Sequence, residues 1–78
     1  MKLIAMKQVI EKTGVCKTAI HNMVAVGLFP KPIKLQNQRR ARWLESEVDT
    51  IIRAWVSGKS EDQTRVIVDT IERERKTL

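Results

Sequence analysis

A chain of 78 residues with 42% apolar content has room for one domain and one modest core. A single Cys excludes an internal disulfide, and one Cys with one His cannot build a four-ligand zinc site. No apolar run is long enough to cross a bilayer and none reads as a secretory leader, while the net charge of +6 points to an anionic partner.

That charge is unevenly spread. Residues 1–43 hold nine Lys/Arg against one acid, Glu11, whereas residues 44–78 hold six basic residues against eight acidic ones. A basic lobe joined to a near-neutral one suggests that the first half meets the anion and the second acts as scaffold or contact surface.

In chain order, MKLIAM is too short for a helix and reads as a small strand. KQVIEKTG follows with Val9 and Ile10 inward, about two helical turns closed by Gly14. Val15 is a lone apolar residue in the turn, placed to plug the space between two helices. The next helix, roughly 17–26, repeats Ile20, Met23, Val24, Gly27 and Leu28 at i, i+3, i+4, i+7 and i+8, a buried stripe. Its opposite face carries Lys17, Thr18, His21, Asn22 and Ala25. Gly27 stops it, and Pro30 and Pro32 force extended backbone.

From Pro32 the period becomes two, predicting a β-hairpin with a polar tip at Gln36-Asn37-Gln38-Arg39. Alternation places Ile33, Leu35, Ala41 and Trp43 on an apolar face and Lys34, Arg40 and Arg42 on a basic one. Ser46 with Asp49 fits a capping box at or just after the start of a third helix, with Val48, Ile51, Ile52, Trp55 and Val56 inward. Gly58 ends it. Ser60 with Gln63 opens a last helix to about Lys76, its apolar residues being Val66, Ile67, Ile71 and Val68, with ERERK exposed.

The predicted fold is mainly α with a small β-hairpin: a winged helix-turn-helix over 1–58 with an additional C-terminal helix over 59–78. That last helix either packs on the core or mediates self-association. Two short helices joined by a tight turn, with donors and acceptors early on the second, suit insertion into a DNA major groove. Lys17 can reach guanine or phosphate, Asn22 can pair with adenine, and Thr18 and His21 can contact either. A cationic hairpin beside such a helix reads as a wing, with Arg39, Arg40 and Arg42 toward phosphates or an adjacent minor groove. Lys31 and Lys34 are further candidates, evenly balanced between phosphate contact and solvated surface.

Other assignments are plainer. Cys16 reads as structural, since no His or acid stands beside it to activate a thiolate. Trp43 and Trp55 fit core positions, and with Phe29 they are the only aromatics, which argues against RNA binding by base stacking. No nucleophile-base pair, metal set or phosphate loop suggests an enzyme or a cofactor.

GVCKTAIHNMVAVGLFPKPIKL, followed by RARWLESEVDTII, resembles the AlpA family of small phage and mobile-element regulators, relatives of MerR-type winged helices and excisionases. The resemblance covers about residues 3–56, and its FPKP and W-ESEV elements are the most specific. Cys16 stands where that pattern usually has Ser, His21 where it has Tyr, and the wing tip QNQRR is about one residue longer than a compact Gly turn. The resemblance implies a transcriptional regulator of prophage genes or a recombination directionality factor (excisionase) assisting an integrase. It puts contacts to double-stranded DNA at Lys17, Thr18, His21 and Asn22, supported by the wing arginines. Its implied setting is the bacterial cytoplasm, at the nucleoid. A homodimer or head-to-tail oligomer on DNA is a further expectation, because one winged helix covers a short site. The alternative is a protein-interaction module, such as an anti-repressor, using the C-terminal helix.

Overall fold

The computed structural model describes residues 1–36 and 40–78. Its elements are β1 (Leu3–Ala5), α1 (Met6–Thr13), α2 (Lys17–Ala25), β2 (Ile33–Lys34), β3 (Ala41–Leu44), α3 (Glu45–Val56) and α4 (Glu61–Glu74), with a 3-10 turn over Arg75–Thr77. The fold is mainly helical with a small sheet, the architecture the sequence predicts.

The α1–α2 turn is built from local chemistry. Gly14 adopts φ +70°, a left-handed conformation that costs a side chain, and its amide donates to the Ile10 carbonyl at 2.8 Å. The Thr13 hydroxyl donates to the Val9 carbonyl and accepts from the Val15 amide, locking the corner from the other side. Half-buried Val15 packs against the core between the helices.

At its far end α2 closes by a Schellman pattern. The Leu28 amide donates to the Met23 carbonyl and the Gly27 amide to the Val24 carbonyl, with Gly27 at φ +81°. The chain then reverses through Phe29 and Pro30, both buried.

The hairpin strands are joined by β1 into one antiparallel sheet of order β1-β3-β2. Ile4 pairs with Trp43 and Leu3 with Leu44; on the other edge Ile33 pairs with Arg42 and Lys34 with Ala41. Cross-strand partners share a sheet face. Ile33 therefore lies on the face of Arg42, and Lys34 on the face of Ala41 and Trp43. The expected division into one apolar and one basic face is not formed, because the register offsets the two strands by one residue relative to that reading. The polar tip at Asn37, Gln38 and Arg39 lies outside the described residues.

β3 runs directly into α3. The Glu45 amide donates to the Lys2 carbonyl at 2.8 Å, so the ladder itself satisfies the first helical N–H. The expected Ser46–Asp49 capping box is therefore not used; Leu44 is the N-cap, and Ser46 lies inside the helix, accepting from the Thr50 hydroxyl. The Ser60–Gln63 box at α4 does form, with both reciprocal bonds present.

The core gathers Ile4, Val9, Ile20, Phe29, Trp43, Val48, Ile51, Val68 and Ile71. Phe29 meets Trp43 edge-on, ring centroids 6.0 Å apart, and the Trp43 indole N–H donates to the Pro30 carbonyl at 2.8 Å. Two expected core residues are outside: Val56 is 83% and Val66 66% exposed. In α4 the inward line is Thr64, Val68 and Ile71, a phase that turns Val66 to solvent. Within ERERK, Arg75 is half-buried, because it binds the buried Glu47 carboxylate.

Candidate nucleic-acid interface

The outward face of α2 follows from its inward one. With Ile20 buried and Met23 and Val24 against the core, 3.6-residue periodicity turns Lys17, Thr18, His21, Asn22 and Ala25 outward, and all five are exposed. Four polar side chains are thus brought together on one helical surface, starting at the helix N-terminus. Cys16 is the N-cap, exposed and making no side-chain cap bond. The first α2 amides are therefore left uncapped by it, and such amides attract anions.

Four of the cations are ion-paired among the described residues. In the C-terminal half, Arg65 pairs with Glu61 and Asp62, Arg73 with Asp69 and Arg75 with Glu47. In the N-terminal half, Lys12 bridges Asp49 and Glu45 at 2.9 and 3.4 Å. Those carboxylates, Asp49 first, hold its ammonium above the ordinary lysine value against the opposing effect of desolvation. Lys17, Lys31, Lys34 and Arg40 are exposed and enter no ion pair among the described residues, as is true of Lys2, Lys7, Arg53, Lys59 and Lys76. Of these, Lys17 starts α2, Lys34 is in β2, Arg40 directly precedes β3 and Lys31 lies two residues before β2.

The wing residues are not equivalent. Arg40 is exposed just before β3. Arg42 is half-buried, donates to the Ala41 carbonyl and shares its sheet face with Ile33 and Ala5. Lys34 lies on the opposite sheet face from Arg42. Lys31 lines a groove of about 270 Å³ between the end of α2 and α4, which Arg65, Asp69 and Glu72 also line, and it forms no ion pair among the described residues. Arg39 lies outside the described residues.

Two contacts were not legible locally. Arg65 reaches from α4 to the Val26 carbonyl at the end of α2, across 39 residues, and Arg75 reaches Glu47 across 28. Charge on a helix surface signals neither partner; only the i,i+3 and i,i+4 neighbours of Arg65 are readable from spacing.

Among the described residues no group of three or more His, Cys, Asp or Glu is placed to hold a metal ion. No helix among them is long and apolar enough to cross a membrane.

Comparison with curated proteins and with solved structures returned no match. The family described as prophage CP4-57 regulatory protein (AlpA) matches residues 2–59, from β1 through the turn after α3. The helix-turn-helix, the sheet and α3 all fall inside that span, and the chain belongs to the AlpA family of prophage regulatory proteins.

Proposed function

We propose that this AlpA-family protein regulates its element by binding double-stranded DNA, with α2 in the major groove and the wing on the flanking backbone. The observation that carries this reading is the exposed Lys17-Thr18-His21-Asn22 face on a helix set off by a tight turn. Those groups supply both phosphate-positioning charge and base-edge donors and acceptors. Arg40, Arg42, Lys34 and Lys31 add sequence-independent attraction, as does Arg39, and the site works at the nucleoid in the cytoplasm.

Within this reading the protein acts as a promoter regulator, as a recombination directionality factor organising DNA for an integrase, or as both. A homodimer or a row of neighbours on DNA extends the short site that one copy covers. A second reading is a protein-contact role through α4, where exposed Val66 and half-buried Ile67 line a shallow surface groove with Lys59 and Gln63.

The test is a gel shift with a salt titration on the element's own attachment and promoter DNA. Preferential binding over random DNA, weakened by Lys17→Ala and Arg40→Ala, is the expected result. Equal affinity for random DNA, or unchanged affinity in both variants, refutes specific binding. Where the bound site lies separates the excision role from the promoter role, and sedimentation on multi-site DNA reads the oligomeric state.

A further inference from the structure

We infer that α4 is a positioning element for the reading helix, acting through Arg65; this rests on the DNA-binding reading above. The family match stops at residue 59, and α4 begins at Glu61. Yet α4 touches α2 at a sensitive point. The Arg65 Nε–H donates to the Val26 carbonyl at 3.0 Å, and Val26 is the C-cap of α2. Carbonyls at a helix C-terminus lack intrahelical partners and carry the negative end of the helix dipole, so a guanidinium satisfies both needs there.

The contact is built on both sides. The Arg65 stem lies over Gly27, where a Cβ would meet its Cγ at 3.9 Å and its Cδ and Nε at 4.0 Å. Glu61 and Asp62 hold the guanidinium from behind, at 3.8 and 3.4 Å. The far end of α4 is anchored separately, by the paired 2.7 Å bonds from Arg75 to Glu47, while its first turn is capped locally by the Ser60–Gln63 box. A helix held at its far end and capped at its start thus carries a side chain that lines the groove beside Val24, Gly27 and Phe29.

Arg65 is a positioning residue rather than a DNA contact. Its guanidinium is engaged by Val26, Glu61 and Asp62, and it acts by holding the α2 C-terminus so that the polar face meets the groove at a fixed angle. A loosened α2 lowers affinity for the preferred site while leaving the number of neutralised phosphates unchanged.

The experiment compares the full chain with Arg65→Ala, Arg65→Lys and Arg73→Ala. Arg73 is the control: it sits on the same helix with the same charge and, among the described residues, pairs only with Asp69. Amide hydrogen exchange at Val26, Gly27 and Leu28 should speed up roughly tenfold in Arg65→Ala, the loss of one charge-assisted bond. Binding to the preferred DNA should weaken roughly fivefold, with random-DNA affinity and the salt slope unchanged. Arg65→Lys should recover part of both effects and Arg73→Ala should show neither. Unchanged exchange, or equal effects from Arg73→Ala, overturns the contact. Faster exchange with full affinity overturns the positioning role, and a salt slope reduced by about one makes Arg65 a direct phosphate contact instead. A wild-type chain with no DNA preference refutes the function on which the role rests, while the exchange result still decides the contact.

Discussion

Glu47 and Arg75 meet through two parallel hydrogen bonds of 2.7 Å, from Nε to Oε2 and from Nη2 to Oε1. The Glu47 side chain is 7% exposed and that of Arg75 18%, so the fork ties the last turn of the chain to the first turn of α3 in a mostly dry setting. Glu47 belongs to the family-matched segment and Arg75 does not.

Removing Arg75 strands a buried carboxylate. Arg75→Ala should cost about 2–3 kcal/mol, below the range for fully buried pairs because Arg75 keeps some solvent access. Adding Glu47→Gln to that variant should recover much of the loss, since the uncompensated charge goes. Urea unfolding of the single and double variants reads the coupling; strictly additive effects would show that the pair contributes nothing as a pair.

The Trp43–Pro30 bond makes a different prediction. Trp43→Phe removes the indole N–H from the buried Pro30 carbonyl and opens space beside Phe29. The expected cost is about 2–3 kcal/mol, from an unsatisfied acceptor plus a partial cavity. Thermal or urea unfolding measures it, and a change below about 0.5 kcal/mol would mean that water reaches Pro30.

Lys12 gives the pH dependence. Its ammonium is held above the ordinary value of 10.5, chiefly by the Asp49 carboxylate with Glu45 adding. A raised folded-state value means stability that is fully present below the unfolded value and is lost as pH rises through the folded one. Lys12→Ala should therefore be less stable than the parent at neutral pH, and the gap should close under strongly alkaline conditions and shrink in molar salt. A gap that persists at both extremes would assign the effect to packing of the lysine stem.

On the proposed reading face, Asn22→Ala and Lys17→Ala should behave differently. Loss of a base-edge amide should cost about 1–3 kcal/mol on the preferred site and little on random DNA. Loss of a phosphate-directed cation should weaken both alike and reduce the salt slope by about one. Anisotropy titrations across a salt series distinguish the two, and identical behaviour would remove the proposed division of labour. The departure at His21 from the usual family Tyr makes His21→Tyr the variant expected to shift sequence preference most.

The helices, the tight turn and the polar face of α2 were set by local rules: 3.6-residue apolar spacing, Gly14 and Gly27, and the Ser60–Gln63 box. These signals act within a few residues, so one chain displays them without its neighbours. The phase of α4 was less legible, because Val66, Ile67, Val68 and Ile71 offer more than one apolar stripe. Packing against Val48 and Ile51 in the shared core goes with the choice of Val68 and Ile71 and leaves Val66 outside.

What only tertiary structure decided depends on residues far apart in the chain. Pairing of β1 with β3 placed the Lys2 carbonyl at the start of α3, which made the Ser46 cap unnecessary. The β2–β3 register put Arg42 beside Ile33 and Lys34 beside Ala41, so alternation within each strand could not say which faces would coincide. Arg65 and Arg75 look alike in sequence, two cations on a charged helix. Folding brings one to the end of α2 and the other to a buried carboxylate, and position in space rather than charge decides what each can do.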